Sequence, residues 1–102
     1  MMKGWKVIDK ERRTSALTAI GYGGIIYLLN KKARPLNGYG PLAVFKSKED
    51  ATRFACRDRL IAVECLYKKS NLCYLQDISG RKSDISYLPI GTDFASEVTC
   101  LE

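Results

Sequence analysis

A chain of 102 residues with 46% apolar side chains is the size of one ordinary domain, with enough core to fold without a structural metal or disulfides. It holds 17 Lys/Arg against 11 Asp/Glu, a formal charge of +6, and no histidine, which excludes Ser-His and Cys-His catalytic pairs. The longest apolar run, GGIIYLL at 23–29, is far too short to span a bilayer, so no membrane partner is expected.

The first predicted element is WKVID at 5–9, a strand with Trp5 and Val7 on one side and Lys6 and Ile8 on the other. RRTSALTAI at 12–20 lies between strand and short helix, and its β-branched content and Gly21 tip it toward strand. IIYLL at 25–29 is apolar at every position, which predicts a buried central strand. KKARPLNGYGP at 31–41 is a loop, because Pro35, Gly38, Gly40 and Pro41 forbid regular structure and Asn37-Gly38 favours a turn. LAVF at 42–45 is the next two-sided strand.

Ser47 then fits a helix N-cap: its hydroxyl can accept first-turn N–H groups, and Glu49 and Asp50 place negative charge at the positive end of the helix. Ala51, Phe54 and Ala55 form a narrow apolar stripe, and the helix is expected over about 47–59. IAVECLY at 61–67 is a strand interrupted by Glu64, whose expected place is in solvent or beside a cation. NLCYLQDI at 71–78 is expected to pair with it as a hairpin, SGRKSD at 79–84 to be a loop, and Gly91 to make a turn before a last strand near 98–101. The sum is an α+β fold: a single domain over 1–102, with a mostly antiparallel sheet of five to seven strands and one main helix.

The four cysteines, Cys56, Cys65, Cys73 and Cys100, contain no CxxC pair, so zinc-ribbon spacing is absent and no metal is expected. Cys56 and Cys65 read as small hydrophobes. The opening MMKGWKVIDKERR has neither an apolar h-region nor a small-residue cleavage site, so a cytoplasmic chain with reduced thiols is expected.

The glycines at 21, 23, 24, 38 and 40 do not make a phosphate cradle. Both clusters are followed by strands, whereas the dinucleotide fingerprint needs a helix after its glycines, and no GKS or GKT occurs. No cofactor is expected.

Charge is distributed unevenly. Residues 1–59 have a balance of +8 and residues 60–102 a balance of −2, a pattern that favours an anionic partner for the N-terminal half. Cations lie near aromatic rings there, and that combination suits stacked bases and phosphates. The candidate ligand-binding residues are Arg12, Arg13, Tyr22, Lys31, Lys32, Arg34 and Tyr39. Trp5 is more at home in the core than in a site.

KGWKVID, the glycine loop leading into GPLAVF, the capped helix with its A..FA stripe, VEC and the final GTDFASEV together resemble a family of small, uncharacterised prokaryotic and phage proteins. The resemblance implies a fold and a microbial or viral setting, including a phage-encoded accessory or inhibitor protein, and no chemistry. The strand-helix-strand order and the late GT.F segment are also similar to the ADP-ribosyltransferase core. That likeness implies a nucleotide-directed enzyme or a degenerate relative, with Arg13 and Ser15, Glu97 and Lys6 as the stand-ins for its functional positions. The leading expectation is a non-catalytic binding protein for a nucleotide, a nucleic acid or an acidic protein surface; the alternatives are that enzyme and a plain protein-interaction module.

Overall fold

The computed structural model describes residues 1–15, 25–35, 41–56, 59–71, 75–76, 82–83 and 90–102. β1 (Met2–Asp9) runs antiparallel to β4 (Leu60–Lys69) from Met2 opposite Tyr67 to Asp9 opposite Leu60. On its other edge Trp5 stands opposite Phe45 of β3 (Leu42–Phe45). β7 (Thr92–Cys100) pairs with β3 through Thr92–Ala95 and with β4 through Ala95–Cys100, so the four strands close into a barrel. A register shift between Lys68 and Lys69 interrupts the β4–β7 ladder; such irregularities add local twist, which closing a small barrel requires. β2 (Lys32–Ala33) adds to β7 beyond β3, with Lys32 opposite Thr99 and Ala33 opposite Val98.

Period-two alternation sorts the side chains into two cores. Ile8, Leu42, Val44, Val63, Cys65, Tyr67, Val98 and Cys100 point into the barrel, where Tyr27 and Ala33 join them. Val7 and Phe45, on the other side of the same strands, pack outward against Ala51, with Trp5, Phe54, Leu60 and Ala62 around them. The expected split of β1, Trp5 and Val7 against Lys6 and Ile8, is the split between these cores. Gly4 sits opposite Cys65 where a Cβ would stand 2.7 Å from the Tyr67 ring and 2.9 Å from the Phe45 carbonyl oxygen, so only glycine fits.

The outer core is covered by the helix α1 (Lys48–Phe54). Ser47 caps it as the sequence implies: Ser47 Oγ accepts from the Asp50 amide at 3.2 Å and donates to Asp50 Oδ2 at 2.9 Å. α1 is shorter than the expected 47–59. Ala55 is already its C-cap, and at Arg59 the chain has joined the barrel, its carbonyl accepting from the Lys10 amide at 2.8 Å. Cys56 is exposed, which corrects its assignment as a small core hydrophobe; Cys65 is fully buried.

Five further expectations differ from the structure, and the first is the 31–41 loop, which holds the short strand β2 at Lys32–Ala33. IIYLL is no central strand: Tyr27 is buried, but Ile26, Leu28 and Leu29 are 56%, 53% and 52% exposed, and the segment's backbone pairing is limited to the isolated bridges Thr14–Ile26 and Leu29–Cys100. The expected hairpin partner of β4, 71–78, lies partly outside the described residues, but both edges of β4 are taken by β1 and β7, and the segment's described strand residues, 75–76, pair elsewhere. β5 (Leu75–Gln76) pairs with β6 (Lys82–Ser83) in a separate ladder, which also places a short strand inside the expected 79–84 loop. The last strand starts at Thr92, directly after the turn at Gly91 (φ 87), and not near 98. The residues that tip 12–20 toward strand lie largely outside the described residues, although Thr14 and Ser15 make strand-like bridges. Among the described residues no helix is long and apolar enough to cross a membrane.

Candidate docking surface

Residues 25–34 form a strap over the barrel, and the sequence explains how it is held. Asp9 Oδ1 accepts from the amides of Glu11 and Arg12 at 3.0 and 2.9 Å, an Asx-type turn whose hydrogen bonds, the Arg12 amide foremost, hold the Asp9 carboxyl below its ordinary range. The turn delivers Arg13 in a left-handed conformation, φ 55. From there the Arg13 carbonyl accepts from the Tyr27 amide at 2.8 Å, and its guanidinium donates to the carbonyl oxygens of Tyr27 and Glu102, both at 2.6 Å.

Beyond Tyr27 the chain turns over Leu28–Lys31, with the Lys31 amide donating to the Leu28 carbonyl at 3.2 Å and Asn30 at φ 58. Asparagine tolerates that region better than most side chains. The Asn30 amide donates to the Cys100 carbonyl at 2.8 Å, β2 follows along β7, and Arg34 closes the strap with Nε and Nη2 donating to Glu97 Oε1 at 3.0 and 2.9 Å. The Arg34 bond is the main reason the Glu97 carboxyl is held below its usual range.

These contacts divide the predicted cations. Arg13 and Arg34 are spent on securing the strap. Arg12, Lys31 and Lys32 are exposed and have no ion-pair partner among the described residues. Lys31 and Lys32 continue directly from Leu28 and Leu29, so residues 28–32 are an unbroken exposed run of two aliphatics, an amide and two cations. Of the eight exposed large apolar side chains among the described residues, three lie on this strap. Tyr22 and Tyr39, the stacking candidates, and the glycines beside them lie outside the described residues. Alternation did not reveal the strap because all five residues of IIYLL are apolar; the Asn-Lys-Lys that follows was the available sign of a turn into solvent.

The stand-ins from the ADP-ribosyltransferase likeness are placed apart. Arg13 serves the strap and Glu97 pairs with Arg34, whereas Lys6 and Ser15 meet inside the barrel, with Lys6 Nζ donating to Ser15 Oγ at 2.8 Å and to the Ala43 carbonyl. Lys6 is 1% exposed and lies 4.9 Å from the Tyr27 ring centroid. Burial lowers its amine to about 8, partly offset by the nearby Cys100 and Cys65. Glu64, by contrast, takes the bland place expected of it, 3.1 Å from Lys3 Nζ.

Tyr27 is equally enclosed, and its hydroxyl has no hydrogen-bond partner among the described residues. An orphaned buried hydroxyl carries an unreturned desolvation cost of about 1–3 kcal/mol. Tyr27→Phe is therefore expected to leave stability unchanged or raise it by about 1 kcal/mol in urea unfolding; a loss above about 1 kcal/mol would reveal a partner for that oxygen.

Fold and surface together define a class: a small closed β-barrel with the helix α1 on its outside and a hydrogen-bonded, amphipathic strap. No protein-family model, curated protein or solved structure matches the chain.

Proposed function

We propose that this chain is a small binding module for an anionic partner, and that the partner is an acidic protein surface docking on the strap. The observation that carries the proposal is the exposed 28–32 run, in which Leu28 and Leu29 offer aliphatic area beside the exposed charges of Lys31 and Lys32. Aliphatic side chains bury well against protein but provide no π-face for a base, so the described part of the surface suits an acidic, partly apolar protein face better than an extended nucleic acid. The excess charge of the N-terminal half steers such a partner toward the strap. Because the strap is hydrogen-bonded at both ends, docking costs little ordering entropy. An accessory or inhibitor role, as the first resemblance implies, is compatible with a module of this kind.

The test is selection from a displayed peptide library, followed by titration of a selected peptide, a 20-nucleotide oligothymidylate and ATP. Selected peptides should combine Asp/Glu with aliphatic residues. Lys31→Ser/Lys32→Ser and Leu28→Ser/Leu29→Ser should each weaken peptide binding at least about tenfold, corresponding to about 1.4 kcal/mol, while stability stays within about 0.5 kcal/mol of wild type. If the oligothymidylate binds with a steep salt dependence that the lysine variant flattens, and acidic peptides do not bind, the partner is nucleic acid and the proposal fails.

A further inference from the structure

Inside the barrel Cys65 of β4 and Cys100 of β7 are directly opposite one another. Their class of pairing follows from the neighbouring hydrogen bonds. The Leu101 amide donates to the Glu64 carbonyl at 2.8 Å and the Glu64 amide donates to Glu102 Oε1 at 3.0 Å, so both backbone groups of Glu64 turn toward the end of β7, the position of a hydrogen-bonded pair with one of its two bonds taken by a side chain. The next pair inward, Cys65 and Cys100, is then a non-hydrogen-bonded one. In agreement, the Cys100 carbonyl turns away from β4 to accept from Asn30.

Non-hydrogen-bonded pairs bring Cα atoms to about 4.5 Å with side chains on one face, the closest approach an antiparallel ladder offers. That separation falls within the range of about 4.4–6.8 Å that disulfides span. Both side chains are buried, 0% and 1% exposed, in the same cluster. Cys56 is exposed on the far side of α1's C-cap and is not part of that cluster.

We propose that Cys65 and Cys100 are a reversible dithiol–disulfide couple that staples β4 to β7 along the seam closing the barrel. Oxidation breaks two S–H bonds and forms one S–S bond. The two protons and two electrons pass to a small-molecule disulfide such as oxidised glutathione, which becomes two thiols. The closed barrel protects the reduced form: burial pushes the Cys65 thiol up to about 12 and raises Cys100 as well, leaving little thiolate to attack. Exchange therefore proceeds through opening at the end of β7, where the contacts to be released are the Leu101–Glu64, Asn30–Cys100 and Arg13–Glu102 hydrogen bonds, or during folding before the seam closes.

The experiment incubates the wild-type chain in glutathione buffers of graded reduced-to-oxidised ratio, with and without sub-denaturing urea, and also refolds it in the most oxidising buffer. Samples are alkylated and mapped by peptide mass spectrometry. The expected result is a linked Cys65–Cys100 peptide, 2 Da lighter than its reduced parts, whose fraction rises with the oxidised ratio, forms faster in urea and disappears with dithiothreitol. The thermal midpoint should rise on oxidation and return on reduction. Cys56→Ser/Cys73→Ser leaves this pair alone and should form the same link. Two alkylatable thiols at every ratio, including after oxidative refolding, would overturn the proposal. So would glutathione adducts on Cys65 or Cys100 without the link, or links from either of them to Cys56 or Cys73 in the wild type.

Discussion

Phe45→Ala is expected to cost about 3–5 kcal/mol, the usual range for removing a buried aromatic ring. Phe45 is fully buried and is the side chain through which the barrel wall meets α1: it packs with Val7 and Ala51, and its ring centroid is 5.5 Å from that of Phe54. Backbone surrounds the site on two sides, since β3 is paired with both β1 and β7, so the walls collapse little into the cavity. Against a stability of about 5–15 kcal/mol for a domain of this kind, the loss is a large share, and each kcal/mol should move the thermal midpoint by about 4–8 °C. Phe54→Ala should cost less, because Phe54 is only half-buried at the helix end. Thermal and urea unfolding of the two variants checks the order; an equal or smaller loss at Phe45 would contradict the placement of α1.

The second large effect belongs to Lys6. A buried amine lowered from 10.5 to about 8 binds fewer protons in the folded chain than in the unfolded one between those two values, so its charge penalises folding below about pH 8. Stability from this group must rise with pH through that window, and the full difference is worth about 3 kcal/mol at about 1.36 kcal/mol per unit. Wild-type unfolding alone obscures the effect. The buried Cys65, Cys100 and Tyr27 groups are all raised by burial, and each contributes stability that is lost once its unfolded counterpart ionises at alkaline pH.

Lys6→Met isolates the effect. Between pH 6.5 and 9 the wild type should gain about 1 kcal/mol relative to the variant; without Lys6 the two buried thiols are held higher still, which adds to the gain in the same direction. A difference that is flat with pH would mean that Lys6 is neutral throughout, or that its head reaches water.

How far this was legible in the chain varies with the element. Ser47 with Asp50, LAVF, IAVECLY and the turn at Gly91 were readable because each depends on short-range chemistry: a hydroxyl meeting an amide one turn on, a two-sided apolar run, a residue that tolerates positive φ. The candidate surface was half-legible. Lys31 and Lys32 read in sequence as loop cations and are exposed, whereas Arg13 and Arg34 look the same in sequence and are engaged in securing the strap, because their partners, the Tyr27 and Glu102 carbonyls and Glu97, arrive from distant segments. Leu28 and Leu29 read as core in the sequence because apolar composition does not say whether a partner strand exists to cover them.

By itself, then, the sequence determined the strand-rich single-helix composition, the two faces of β1 and the capped start of α1, since propensity, alternation and capping act over a few residues. The tertiary structure alone decided that β7 joins β3 on one edge and β4 on the other, turning an antiparallel sheet into a closed barrel. That closure gave Lys6 an interior to be buried in, set Cys65 opposite Cys100, and left IIYLL without a strand slot in the sheet. Each is a consequence of which edges pair. Edge pairing is settled by hydrogen bonds between residues tens of positions apart, which no local pattern encodes.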